Sequence, residues 1–242
     1  MSSSGRKIKI VAFSGALRKS SANAGLVRAA AELAKGVDGI EFEVVTDLIG
    51  QLPLYDGDIE TEGFKGVVKQ WREVIRSADA LLIATPEYNY SIPGTLKNAI
   101  DWASRPDDQT YSSFPTFDKP VAIMGAGGGM GTSRAQYHLR QVGVYLNWHF
   151  VNRPEVNVNL WGGKQIADSD GNLIDDATRG QVKALLDALV EWTKRLNAGK
   201  FGAGASAEAK ESNKTDSDSG KKEKKAKKEK KEKKAKKEKS SQ

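Results

Sequence analysis

Three short segments of this 242-residue chain gather hydroxyls, amides, glycines and charge between apolar runs. The first reads Ser14-Gly15-Ala16-Leu17-Arg18-Lys19-Ser20-Ser21-Ala22-Asn23 and leads into a helical pattern. Such a segment can hold an anion, because the free N–H groups and dipole of a helix start attract negative charge. The same residues equally make a hydroxyl-rich helix cap beside an exposed basic pair. No Gly-Lys-Ser/Thr follows, so it is not a Walker A loop, and the dinucleotide glycine triplet is absent. The second segment runs Thr85-Pro86-Glu87-Tyr88-Asn89-Tyr90-Ser91-Ile92-Pro93-Gly94. A planar heteroaromatic ring needs backbone N–H and C=O groups along its rim and aromatic or apolar surfaces on its faces. This segment carries both; a tyrosine-covered turn between two prolines is the plainer alternative. The third runs Gly125-Ala126-Gly127-Gly128-Gly129-Met130-Gly131-Thr132-Ser133-Arg134, where glycine permits close backbone approach to a ligand or merely mobility.

The elements that must position these segments follow from hydrophobic periodicity. Ile8–Phe13, Glu41–Val45, Ala80–Thr85 and Val121–Met124 read as strands, and a fifth lies within His149–Val158. Glu41–Val45 alternates most and suits an edge, whereas Ala80–Thr85 suits a central strand covered on both faces. Helices are expected over Asn23–Lys35, Phe64–Arg76, Pro93–Ala103, Thr132–Leu146 and Asp176–Leu196. Five β-then-α units predict an α/β, flavodoxin-like three-layer sandwich with a five-stranded parallel sheet in the order 2-1-3-4-5. Ligands of such sheets bind beyond the carboxyl ends of the strands where the connections reverse. The three segments are the loops after strands one, three and four.

Composition narrows the function classes. There is no cysteine, which excludes disulfides, thiolate nucleophiles and Fe–S clusters and is compatible with a reducing compartment. No apolar run reaches the roughly 20 residues that span a bilayer, and the start lacks a signal-peptide core. A cytoplasmic protein is expected. Residues 200–242 hold 16 Lys and 8 acidic residues, a net charge of +8; the whole chain carries +7, so residues 1–199 are near −1. The basic character therefore belongs to the end of the chain. Two domains of different kind are expected: a folded unit over 1–200 and a disordered Lys/Glu-rich tail over 201–242. The tail repeats KKEKKAKKE over 221–229 and 230–238, which suits a solvated tail or contact with polyanions.

The run from Pro86 through Tyr88, Asn89, Tyr90, Lys97, Asp101 and Trp102 to Arg105, together with Arg134-Ala-Gln-Tyr-His-Leu-Arg-Gln141, resembles the NADPH-dependent FMN reductase family. Within that family the likeness is to plant, algal and bacterial soluble NAD(P)H:quinone oxidoreductases, over roughly residues 7–197. The resemblance implies bound FMN, with NAD(P)H as co-substrate and two-electron reduction of quinones in alternating half-reactions. It assigns the flavin phosphate to Arg18, Ser20, Ser21 and Asn23, and Ala16 replaces the first serine of the family's pattern. Losing one neutral hydrogen bond there costs about 1 kcal/mol. Pro86, Glu87, Tyr88, Asn89 and Tyr90 are assigned to the isoalloxazine, with the backbone of Ala126, Gly127 and Gly128.

No catalytic side chain and no metal site are expected, since the flavin performs the hydride chemistry. His138 and His149 make no metal spacing and read as structural. Trp71 and Trp102 read as core or interface residues. The family implies a homodimer or homotetramer, in which Asp101, Arg105 and Arg140 serve an interface or pair within the chain. Two other functions fit the same sequence: a reductase of free flavin, azo compounds or metal oxyanions, and a flavin-based redox-sensing binding protein.

Overall fold

The computed structural model describes residues 6–198 apart from residue 109; the Lys-rich tail lies outside that range. Six strands, β1 (Ile8–Ser14), β2 (Ile40–Val45), β3 (Ala80–Ala84), β4 (Pro120–Gly127), β5 (His149–Phe150) and β6 (Val156–Asn159), form one parallel sheet. Its order is β2-β1-β3-β4-β5, with β6 also on β4. This is the flavodoxin-like order. The expected fifth strand is in fact two, and the sheet has six strands. β5 pairs with Pro120 and Val121 at the start of β4, and β6 pairs with Met124 to Gly127 at its end. Pro154 lies between them and has no N–H to donate, so one continuous ladder is interrupted.

Helices cover both faces: α1 (Ala22–Ala34), α2 (Leu48–Gln51), α3 (Gly57–Thr61), α4 (Gly66–Ser77), α5 (Gly94–Ala103), α6 (Ser133–Tyr145) and α7 (Asp176–Leu196). Strand alternation divides the core in two. Ile8, Ile10 and Ala12 point to a layer shared with Leu26 and Ala30 of α1 and Leu185, Leu186 and Leu189 of α7. Val11 and Phe13 point the other way, against Trp71 of α4, Leu96 of α5 and Leu139 of α6. Each fully buried aliphatic side chain contributes about 2 kcal/mol. Trp71 and Trp102 are core residues; their indole N–H groups donate to the carbonyls of Ala99 and Pro53 at 2.7 and 2.8 Å.

One buried residue contradicts its polarity. Arg72 is 3 % exposed, and burial pushes its guanidinium down to about 10. It donates to the carbonyls of Trp102 and Arg105 at the end of α5 and to Asp107. Those contacts fix the far end of α5, whose near end borders the second loop.

Register places the strand ends level. Ser14 pairs with Ala84, and Ala84 with Met124. The loops after β1, β3 and β4 therefore leave the sheet side by side.

Candidate functional site

The first loop is pulled tight at both ends. Gly15 donates to the Ala84 carbonyl at 2.9 Å and its own carbonyl accepts from the Thr95 hydroxyl at 2.8 Å. A Cβ on Gly15 would lie 2.9 Å from the Cβ of Leu96, so this position needs glycine. Ser21 caps α1, its hydroxyl accepting from the Asn23 N–H at 3.2 Å. Among the described residues, the N–H groups of Leu17, Arg18, Lys19, Ser20, Ala22 and Ala24 meet no acceptor. That donor set, with the exposed Arg18 guanidinium, has the chemistry a phosphate requires.

Asn23 has a different task from the one expected. Its side chain is buried and both ends of its amide are used on one residue. Nδ2 donates to the Ala126 carbonyl at 2.8 Å, and the Ala126 N–H donates to Oδ1 at 2.9 Å. Asn23 thus clamps the first loop to β4, and Ala126 spends its backbone on that clamp rather than on a ligand. Ser20 is half-buried; a Cβ on Gly171 would lie 2.6 Å from its carbonyl oxygen, because residues 166–174 close over it.

The second loop is a two-residue turn. Tyr88 and Ser91 exchange N–H···O bonds at 3.0 Å in both directions, with Asn89 and Tyr90 at φ +50° and +66°. Two consecutive positive φ values define the type I′ geometry of tight hairpins. Asparagine accepts it readily; tyrosine does so at a cost, so the turn is held from outside. Arg134, at the start of α6, does the holding. It bonds Glu87 at 2.6 Å through Nε and stacks 3.7 Å above the Tyr90 ring. The Ala135 N–H also donates to Glu87 at 3.3 Å, and His138 contacts the Ser91 hydroxyl at 3.0 Å. Pro86 is buried at the base, while Tyr88 and Tyr90 stand 53 % and 66 % exposed. Exposed aromatic faces on a braced turn can stack a flat ligand.

The glycines of the third loop fall into two groups. A Cβ on Gly125 would sit 1.9 Å from the Thr132 hydroxyl, and one on Gly131 2.6 Å from the Asn157 carbonyl carbon. Gly127 faces the Thr132 methyl at 2.8 Å, and its carbonyl accepts from Leu160. These three are packed by the protein itself. Gly129 has nothing within 4 Å, and Gly128 faces only the tip of Trp161 at 2.9 Å. Gly128, Gly129 and Met130 keep N–H groups without an acceptor among the described residues.

The structure therefore brings Arg18, Ser20, Ser21, Pro86, Glu87, Tyr88, Asn89, Tyr90, Gly127 and Gly128 to one sheet edge, with Asn23 and Ala126 as the clamp beneath. Sequence reasoning missed Arg134, though it opens one of the telling segments, and Trp161, 82 % exposed beside Gly128. Asp101 and Arg105 pair within the chain, with Lys97 and Glu60, and Arg140 donates to Asn152 and Val151. Among the described residues there is no cluster of three or more metal-ligating side chains.

Residues 8–163 match the family of NADPH-dependent FMN reductases. The chain is 45 % identical over 191 residues to an NADPH:quinone oxidoreductase of Arabidopsis thaliana, covering 78 % of this chain and 93 % of the relative. It is 46 % identical over 190 residues to an NAD(P)H-dependent FMN reductase of Pseudomonas aeruginosa, covering 78 % and 97 %. Among solved structures it is similar to FerB, a flavoenzyme NAD(P)H:(acceptor) oxidoreductase of Paracoccus denitrificans. The TM-score is 0.66 and the identity 32 %, over 78 % of this chain and 98 % of that one.

Proposed function

The chain belongs to the NADPH-dependent FMN reductase family, and from that premise we propose that it is an FMN-dependent NAD(P)H:quinone oxidoreductase. The observation that carries the reading is the set of three level loops with free N–H donors, one suited to a phosphate and two to the rim and face of a planar ring. FMN, when bound, supplies acceptance of a hydride from NAD(P)H and its delivery to a second substrate.

The protein's part is binding, orientation and exclusion. Arg18, Ser20 and Ser21, with the open N–H groups of the first loop, hold the phosphate. Asn23 keeps that loop at a fixed distance from β4, so phosphate and ring are gripped by parts that move together. Glu87 and Arg134 hold Tyr88 and Tyr90 at the open face, where nicotinamide and quinone take turns. Gly128 and Gly129 let the backbone approach the ring edge. No proton-transfer triad is required.

The cytoplasm supplies the reduced nicotinamide and is the proposed compartment. The proposed assembly is a homodimer or homotetramer; Tyr137, Val144 and Tyr145, 60 %, 81 % and 59 % exposed along α6, support self-association. The Pseudomonas relative, an NAD(P)H-dependent FMN reductase, supports a second reading, with free flavin as the acceptor. Steady-state rates over benzoquinones, naphthoquinones, free FMN, azo dyes and chromate decide between them. Quinones are expected to give the highest kcat/KM; a better non-quinone acceptor overturns the first reading.

A further inference from the structure

A cavity of about 240 Å3 opens between the first loop, α1 and the carboxyl end of β2. β2 flanks β1 on the side away from β3 and β4, so this cavity is not the ring site. Its floor is apolar, formed by Val27 and Val44 among others, and its rim carries Arg18, Lys19, Arg28 and Asp47. Among the described residues, the Arg18 guanidinium and the Lys19 ammonium meet no hydrogen-bond or ion-pair partner, while the Arg18 carbonyl accepts from the Ser21 N–H at 3.1 Å. Arg28 is anchored, donating to Asn172 at 2.8 Å and to the Asp170 carbonyl at 3.1 Å, which holds it at the rim. Three cations against one carboxylate leave a net charge of +2 around a slot with an apolar floor.

That combination suits a flat base carrying phosphate. The apolar floor takes the base, the cations take phosphate oxygens, and the carboxylate at the strand end accepts from ribose hydroxyls. Resting on the reductase reading above, we propose that the cavity receives the adenosine-phosphate end of the reduced nicotinamide substrate. Its charge selects the form with the additional ribose phosphate, NADPH over NADH. The reach is adequate. The cavity at β1/β2 and the ring site at β3/β4 are about two strand spacings apart, roughly 10 Å, less than the length of an extended dinucleotide. Arg18 stands between the two sites and serves both phosphates.

The probe is adenosine 2′,5′-bisphosphate, titrated calorimetrically into FMN-loaded protein, with 5′-AMP as the comparison. The expected result is one site, competitive with NADPH, tighter for the bisphosphate, with the flavin retained. Lys19→Ala should weaken the bisphosphate about tenfold. It should raise KM for NADPH by a similar factor, with less effect on NADH and none on flavin content. Thr46→Trp, at an exposed lining position, should block the cavity and abolish bisphosphate binding. Unchanged affinity in both variants overturns the proposal, as does expulsion of FMN by the bisphosphate, which would make the cavity part of the flavin-phosphate cradle. If the protein binds no flavin, the same titration on the flavin-free protein still decides the cavity, so the two readings fail separately.

Discussion

Gly125 and Gly129 sit four residues apart in one loop and answer to different constraints. A methyl group on Gly125 collides with the Thr132 hydroxyl at 1.9 Å and the Thr85 carbonyl at 2.4 Å, both fixed by buried neighbours. Gly125→Ala is expected to cost about 3 kcal/mol, read as a lower midpoint in urea. A methyl group on Gly129 meets nothing. Gly129→Ala should leave stability within about 0.5 kcal/mol of the parent, so any weakening of FMN affinity it produces reports contact with the ring. The sequence shows a glycine-rich stretch but cannot separate packing glycines from ligand-facing ones, because Thr132, Asn157 and Trp161 reach them only in the fold. Asn23 teaches the same lesson. Its residue type suits a phosphate, and what claims it is a backbone 103 positions away.

At the scale of elements, most of the fold was legible. The helix expected over Asp176–Leu196 is α7 to the residue, and the other long helices shift by one or two positions, because their apolar faces repeat at helical spacing. The short helices α2 and α3 have too few turns to show a period, and Pro154 broke the alternation that would have revealed β5 and β6 separately. The brace between the second loop and α6 was also hidden, since Glu87 and Arg134 lie 47 residues apart. Arg134→Ala is expected to release the Tyr90 turn and raise KM for quinone several-fold while flavin stays bound; an unchanged KM would show that the turn holds itself. Stacking and a paired carboxylate are both lost in this variant, and lysine should rescue it poorly. The start of α7 gives a pH prediction. Lys164 and then Thr178 hold the Asp175 carboxyl well below its ordinary 3.8, at about 2. A carboxyl depressed on folding stabilises the native state above its unfolded value and loses that contribution as pH falls through the folded one. Thermal midpoints measured from pH 5 to pH 2 should fall less steeply in Asp175→Asn, which keeps a capping side chain but no charge.

The whole chain divides by charge. Residues 1–199 are nearly neutral overall, and the repeat over 221–238 lies beyond the stretch that matches the family, 8–163. Removing residues 201–242 should therefore leave kcat, KM and flavin content unchanged while abolishing retention on a polyanionic resin. Loss of turnover in the shortened protein would tie the tail to catalysis and refute this division.

The central claim is that one sheet edge holds FMN and passes it a hydride from NAD(P)H. It is tested most directly by the absorption spectrum of the purified protein, loaded with FMN and freed of excess, before and after anaerobic addition of NADPH. A visible flavin band that stays with the protein and bleaches with one equivalent of NADPH is the predicted result. A colourless protein that does not retain added FMN, or a bound band that NADPH leaves unchanged, would contradict it.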